Sequence, residues 1–487
     1  MSPAPDSASA DAGTLWPESL RDRVALFAGK TLDRLYGRGT DAHLPALERS
    51  QWWNGDELEA YQRERLEALL LHCWDHIPFY RRRLQDAGVR REEIEAGERV
   101  LERLPPLSRP ELQAAQEELR APDTGRTIVS TTSGSSGRPV TVAQDLGTAA
   151  WTRAVQRRAF RWYGVEPYER RTMILSAPSA GAKALRHRLV DLATGRRLFE
   201  FHRLDPQALE SLATHLERYR PAFVTAYPSV LHELCLHCEA TGRSLAESGP
   251  RLLHSQSEML LETHRQSFRR VFGPLPILDE YGCVEVGGMA YTCPEGGRHI
   301  SHEHVLLEVV DETGKPVVEG TGGRILLTPL EARAMPLLRY EVGDAGALSR
   351  QPCPCGRTQG AALLGRLEGR TFERLLSADG RAINAGIVHF IVRTSGIAPA
   401  LQHYLAVQRQ PGKVEFLLVP GETYRAEAAE RLRATAAQVL GPGFEVKSQT
   451  VDEIPAGSGK KRSYFRSELA ADLPEVGSPQ AESREKP

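Results

Sequence analysis

The chain has 487 residues, 41% of them hydrophobic and 26% charged, with a formal net charge of −1. That length exceeds one simple core and predicts two or three domains of a globular protein, while the near-zero charge excludes a long-range field that would draw the chain to nucleic acid or an acidic membrane. No run reaches the roughly 18 apolar residues of a membrane span, and an odd set of seven cysteines argues against a disulfide framework.

Residues 1–15 lack the basic start and apolar run of a secretory signal and read as a disordered leader, as does the tail 471–487. A cytoplasmic location is the expectation. Residues 57–86 space their apolar side chains three and four apart and predict a helix, which Pro78 interrupts. From about Arg126 short apolar runs (TIVST, TMILSA, FVTAY, RLLHS, PILDEY) alternate with helix patterns at 145–163, 204–218, 229–241 and 260–271. This alternation predicts an α/β domain with a largely parallel sheet. After Gly282 the texture becomes β-rich, with strands expected at 303–310 and 323–328. The remainder predicts a smaller α+β lid, with strands at 401–407 and 414–419 and a helix at 423–440 that Gly441 stops. The domain expectation is therefore a large N-terminal part, 16–365, and a C-terminal lid, 366–470.

Within the segment TIVSTTSGSSGRPVTV, the residues Thr131, Thr132, Ser133, Gly134, Ser135, Ser136 and Gly137 combine hydroxyl donors with glycines that let backbone amides approach an anion. Phosphate cradling and a plain polar hairpin turn both fit this text. It is not a Walker-type loop, because no G-x-x-x-x-G-K-[ST] is present, and there is no G-x-G-x-x-G.

TTSGSSGRP resembles the phosphate loop of the adenylate-forming superfamily of acyl-CoA synthetases, luciferases and adenylation domains. Further matches follow in that family's order. Tyr281-Gly282-Cys283-Val284-Glu285 is similar to Y-G-x-T-E, and Tyr340-Glu341-Val342-Gly343-Asp344 to Y-x-T-G-D. Gly365-Arg366 is similar to the start of the hinge motif, and Gly457-Ser458-Gly459-Lys460 to the C-terminal S-G-K. HIPFYRRRLQDAG, CPCGRTQG and Val140 in place of a lysine resemble the phenylacetate–CoA ligase branch.

The resemblance implies ATP and Mg²⁺ as cofactors and a carboxylic acid as substrate. It assigns Glu285 to magnesium, Tyr281 and Gly282 to the adenine, Asp344 to the ribose hydroxyls and Arg366 to ribose or phosphate. Ser257 and Glu258 fall where the family lines its adenine pocket, and Tyr227 and Ser229 where it lines its acid pocket. Lys460, with Lys461 as its neighbour and rival, is the expected catalytic lysine, carried by a lid that pivots near Leu367–Gly369. The segments 174–186 and SADGRAINAGIVHFIV depart from the branch's text, which leaves the acid unnamed. CoA is the first acceptor considered, with an amine, sugar or carrier protein as the alternative. A non-catalytic nucleotide-binding scaffold is the reading from another class, and the retained Glu285, Asp344 and Lys460 oppose it. The oligomeric state is open, a homodimer included.

Cys353-Pro-Cys355-Gly can present two thiolates, and Cys293 and His299 supply two more ligands for a structural zinc, against the alternative of free buried cysteines. His302 and His304 are rival ligands. Cys235 and Cys238 share a C-x-x-C spacing on an amphipathic helix and read as core.

Overall fold

The computed structural model describes residues 24, 27–29, 31, 39–122, 124–131, 140–166, 168–175, 191, 194–200, 206–370, 374–385, 387–421, 423–454 and 464–469. The β-branched run Thr127–Thr131 forms strand β1. It pairs antiparallel with β2, Thr141–Asp145, in register from Thr127 opposite Asp145 to Thr131 opposite Thr141. This corrects the expectation that TIVST joins the parallel sheet. Its partner is the run just beyond the Ser/Gly loop, and every second β1 residue faces solvent.

The parallel sheet is built from β3, Arg171–Leu175; β4, Arg196–Glu200; β5, Phe223–Ala226; β6, Leu252–Gln256; and β7, Ile277–Cys283. They lie in the order β4-β3-β5-β6-β7, all parallel. Helices Pro206–Tyr219, Pro228–Ala240 and Glu262–Phe272 cover one face, packing Leu212, Leu216, Leu231, Leu234 and Phe268 on Val224 and Leu253. Helix Leu146–Arg161 covers the other face, setting Trp151, Val155 and Phe160 against Phe223, Leu252 and Leu278. Burial on both faces is why the inner strands β5 and β6 read as apolar runs.

Beyond β7 the chain turns back directly. β8 (Gly287–Thr292), β9 (Arg298–Ile300), β10 (Val305–Val310), β11 (Gly323–Pro329), β12 (Tyr340–Ser349) and β13 (Leu363–Arg370) continue the same sheet. Among the described residues its order is β10-β11-β12-β13-β9-β8-β7-β6-β5-β3-β4. The pairs β7–β8, β8–β9, β9–β13 and β10–β11 are antiparallel. The sheet is thus parallel over one half only, because the short turns after Gly282 leave no room for crossover helices.

The predicted helix at 57–86 is two helices. Asn54 caps Gly55–His76 in a reciprocal box with Glu57, and Pro78 sits in the first turn of Pro78–Asp86, where its missing N–H costs nothing. A further helix, Thr40–Ser50, is locked from inside. Arg158 donates to both oxygens of Glu303, at 2.5 and 3.3 Å, and to the Leu47 carbonyl at 3.2 Å. The Ser50 hydroxyl bonds the same carboxylate. Burial works against the charge on Glu303, but Arg158 outweighs it and holds the carboxyl below its usual range.

The described residues fall into two compact units. One runs to Val342 and includes Gly346–Arg366; the other comprises Gly343–Ala345 and the chain from Leu367 onward. The second has a four-stranded sheet in the order β18-β17-β16-β19, formed by β16 (Leu401–Gln410), β17 (Lys413–Pro420), β18 (Glu445–Thr450) and β19 (Phe465–Ser467). A hairpin, β14 (Arg374–Leu376) with β15 (Ala382–Asn384), precedes it. Helix Ala426–Leu440 follows β17 and ends at Gly441, whose φ of 82° only glycine adopts without strain. No helix among the described residues is long and apolar enough to cross a membrane.

Candidate active site and metal centre

Strand β3 lies between β4 and β5, so the chain leaves β3 in one direction and β5 in the other. The carboxyl ends of the strands at such a reversal open a crevice, the usual ligand position of an open α/β sheet. Tyr227 and Ser229 follow β5, Ser257 and Glu258 follow β6, and Tyr281 and Gly282 close β7. The structure brings the first four together. Glu258 Oε2 accepts the Ser229 backbone N–H at 3.2 Å, placing a carboxylate at the N-terminus of helix Pro228–Ala240, where the helix dipole favours it. Burial, then the Glu258 charge, push the Tyr227 phenol up and keep it protonated. Ser257 sits at φ 68°, an uncommon conformation that turns the chain away from β6.

Glu285 is buried at the turn between β7 and β8. Its Oε1 accepts the Tyr340 hydroxyl at 3.0 Å and the Arg109 guanidinium at 3.2 Å. Gln144 of β2 donates to its backbone carbonyl at 3.4 Å. Burial, then the charge of Glu285, push the Tyr340 phenol far up, so it stays a donor. Two sequence motifs about sixty residues apart, YGCVE and YEVGD, are therefore joined by one hydrogen bond. Arg339, fully buried, fixes the start of β12 by donating to Glu308 Oε1 at 3.0 Å and to the Leu104 and Gly314 carbonyls at 2.6 and 2.7 Å.

Asp344 lies on β12, half-buried, and Arg366 lies exposed on β13. Thr131 ends β1, with its hydroxyl 3.4 Å from that of Thr141. The rest of the Ser/Gly loop, Thr132, Ser133, Gly134, Ser135, Ser136 and Gly137, lies outside the described residues, as do Lys460 and Lys461 and most of the 174–186 segment. Val140, which stands where the resemblance expects a lysine, is fully buried.

A second cluster gathers at the far end of β8 and β9. The ligand atoms of Cys293, His299, Cys353 and Cys355 all lie within 4.8 Å of one another. A tetrahedral zinc with bonds of about 2.3 Å to sulfur sets its ligands roughly 3.8 Å apart. Cys293 Sγ is 3.5 Å from Cys353 Sγ, and Cys355 Sγ is 3.2 Å from His299 Nε2. His299 Nδ1 is held by Thr358 Oγ1 at 3.0 Å, which leaves Nε2 for a metal in the arrangement usual for ligating histidines. Burial pulls the His299 pKa down to about 4, so the imidazole is neutral, and burial pushes Cys293 up to about 12 without a metal. Burial opposes the Cys355 thiolate, yet hydrogen bonding from Arg357 and from the other thiols pulls it down. Any side chain at Gly297 would strike Cys353, since a Cβ there would lie 2.6 Å from its Sγ. The rivals point elsewhere: His302 bonds the Ala362 carbonyl and His304 the Val286 carbonyl. Cys235 and Cys238 are buried in the helical core.

The family model described as AMP-binding enzyme matches residues 60–328, more than half of the chain. The chain belongs to the AMP-binding enzyme family. It is 28% identical over 381 residues to the phenylacetate-coenzyme A ligase of Thermus thermophilus, covering 74% of this chain and 80% of that protein. It is 23% identical over 437 residues to the Escherichia coli phenylacetate-coenzyme A ligase, covering 84% and 95%. Among solved structures, 2-hydroxyisobutyryl-CoA ligase in its postadenylation state superimposes with a TM-score of 0.69 at 18% identity, over 86% of this chain and 91% of that one. At that identity the likeness speaks for the fold, an α/β enzyme with a large N-terminal part and a smaller C-terminal one.

Two residues that touch Glu285 in the candidate site escaped sequence reasoning. Arg109 belongs to the short helix Arg109–Ala114, and nothing in its local text (SRPEL) marks it as a partner of Glu285, 176 positions away. Gln144 reads as an ordinary solvent-facing strand residue. Tyr340, by contrast, carried a signal, because it opens the YEVGD motif.

Proposed function

We propose that the enzyme uses ATP to activate a carboxylic acid and then passes the acyl group to CoA. A carboxylate oxygen of the acid attacks the α-phosphorus, the bond to the β-phosphate breaks, and pyrophosphate leaves with the electron pair. The CoA thiolate next attacks the acyl carbonyl and AMP departs. The observation that carries this reading is the Glu285–Tyr340–Arg109 constellation within a chain of this family. Both donors fall on Glu285 Oε1, which leaves Oε2 as the oxygen suited to a hard cation. Magnesium bound there would neutralise phosphate charge. Arg109 supplies a second positive group beside the same carboxylate.

The remaining roles follow the resemblance. Thr131 through Gly137 cradle the triphosphate, Tyr281 and Gly282 face the adenine with Ser257 and Glu258, Asp344 takes the ribose hydroxyls and Arg366 the ribose or phosphate. Lys460 stabilises charge on the α-phosphate and the attacking oxygen, delivered by a lid that turns at Leu367–Gly369. Tyr227 and Ser229 line the acid pocket. CoA is the acceptor named for the phenylacetate-coenzyme A ligases that this chain resembles; an amine or carrier acceptor has no support beyond the two divergent segments. A cytoplasmic location agrees with this metabolic role. A pyrophosphate-release screen over carboxylic acids, with and without CoA, tests the reading. Release should depend on both ATP and an acid, with thioester formed when CoA is present; release without thioester would move the acceptor away from CoA.

We further propose that Cys293, His299, Cys353 and Cys355 hold a structural zinc, since four protein ligands close the coordination sphere and leave no position for catalysis. Elemental analysis of purified protein should find about one zinc per chain, and Cys355→Ser should lose it and lower the melting temperature. Less than about half an equivalent in the unaltered protein would refute the zinc.

A further inference from the structure

On the face of the sheet covered by helix Leu146–Arg161 lies a polar group that the adenylation chemistry leaves unused. His254 of β6 and Gln156 of the helix both place a side-chain nitrogen 2.9 Å from Glu280 Oε2. Thr225 of β5 lies 3.1 Å from the other nitrogen of His254. The Glu280 carboxylate is thereby fixed through one oxygen, and no described residue donates to Oε1. Glu280 immediately precedes Tyr281 on β7, at the carboxyl end of the parallel strands where a substrate is expected.

Tyr291 stands directly opposite Glu280 on β8, so the two side chains share a face. It is 1% exposed, and its hydroxyl is buried with no hydrogen-bond partner among the described residues. A buried hydroxyl without a partner is uncommon and calls for a missing one. Between the two groups lies Gly288. A Cβ there would fall 2.0 Å from the Tyr291 hydroxyl and 2.7 Å from Glu280 Oε1. Gly288 is not among the residues with positive φ, so the backbone does not require glycine at this position; the space does. The register shift after Tyr281 makes Met289 the extra residue and turns Gly288 toward the same side as Tyr291.

We propose that Glu280 and Tyr291 together read a hydroxyl group on the carboxylic acid, so that the substrates of this enzyme are hydroxylated acids; this rests on the acid-activating function proposed above. A hydroxyl satisfies both residues at once, donating to Glu280 Oε1 and accepting from the Tyr291 phenol. An ammonium would donate to both and leave the phenol proton without an acceptor. A hydrocarbon end would leave the carboxylate oxygen and the buried phenol without a partner. Sites built to bond a substrate hydroxyl discriminate against the analogue that lacks it far more strongly than apolar pockets discriminate by size.

The test is pyrophosphate release by the full-length enzyme with ATP, Mg²⁺ and CoA, using phenylacetate, benzoate and hexanoate, each beside its monohydroxylated derivatives. At least one hydroxylated acid should exceed its parent in kcat/KM by ~10²-fold or more. Tyr291→Phe and Glu280→Gln should each shrink that ratio at least about tenfold. The melting temperature of Tyr291→Phe should equal or exceed that of the unaltered enzyme, because the deleted hydroxyl has no partner. Parents matching all their hydroxylated derivatives would overturn the proposal, as would ratios unchanged in both variants or a marked fall in melting temperature for Tyr291→Phe. Failure of every acid to support release is a different outcome: it would remove the acid-activating function itself, and this proposal with it.

Discussion

Glu285→Gln is expected to lower acid-dependent pyrophosphate release by ~10²-fold or more and to raise the magnesium concentration needed for half-maximal rate. The substitution keeps the shape of the side chain and an oxygen that can accept from Tyr340 and Arg109, so the fold loses little. What it removes is the negative charge at a buried position beside the proposed phosphate site. Lys460→Ala removes charge of the opposite sign and should cost ~10²–10³-fold in the same assay, without a change in the magnesium requirement. The two variants therefore separate along the magnesium axis. Steady-state release measured across a magnesium titration reads both effects. An unchanged rate in Glu285→Gln at low magnesium would exclude the metal role, and an unchanged rate in Lys460→Ala would exclude the lysine role.

Arg158→Met is expected to destabilise the enzyme by about 3–5 kcal/mol, since it strands a buried carboxylate. Arg158 and Glu303 have side chains only 4% and 3% exposed, so water replaces none of the lost interaction. The Leu47 carbonyl loses the Arg158 donor as well, which loosens helix Thr40–Ser50. In the unaltered enzyme the Glu303 pKa lies below its usual value, so this contribution is full above the ordinary carboxyl range and is lost as the pH falls through the folded-state pKa. In the variant the sign reverses. Without Arg158, burial raises the Glu303 pKa, so the variant gains stability relative to the unaltered enzyme as the pH is lowered and the carboxyl is protonated. The double variant Arg158→Met/Glu303→Leu should recover most of the loss, because two apolar groups need no partner. Urea unfolding at neutral and mildly acidic pH measures all three. A single variant within about 1 kcal/mol of the unaltered enzyme would refute the buried-pair account.

The parallel half of the sheet was legible because its inner strands β5 and β6 are buried on both faces and read as apolar runs between amphipathic helices. FVTAY, RLLHS and PILDEY became β5, β6 and β7 with ends shifted by a residue or two. Helix ends were legible where local chemistry sets them, as at Pro78 and Gly441. The antiparallel half was less so. β8 opens on two glycines, β9 has three residues, and β12 mixes buried and half-buried positions without regular alternation, so propensity and periodicity are both weak there. β4, RRLFE, has little apolar content because it is the edge strand. The site was legible as ordered motifs, but its contacts were not. Pairing of Glu285 with Arg109, or of Glu280 with His254 and Gln156, depends on side chains brought together across the sheet, which no local pattern encodes. The zinc ligands are an intermediate case: residue types and the tight C-P-C-G turn were visible, while the sixty-residue closure between the halves had to come from strand pairing of β9 with β13.

The most direct measurement of the central claim is isotope exchange between pyrophosphate and ATP in the absence of CoA. Formation of an enzyme-bound acyl-adenylate is reversible, so exchange should appear only when a suitable carboxylic acid is present, and Lys460→Ala should suppress it ~10²-fold or more. Exchange that proceeds equally well without any acid, or that no acid elicits from an enzyme able to bind ATP, would contradict it.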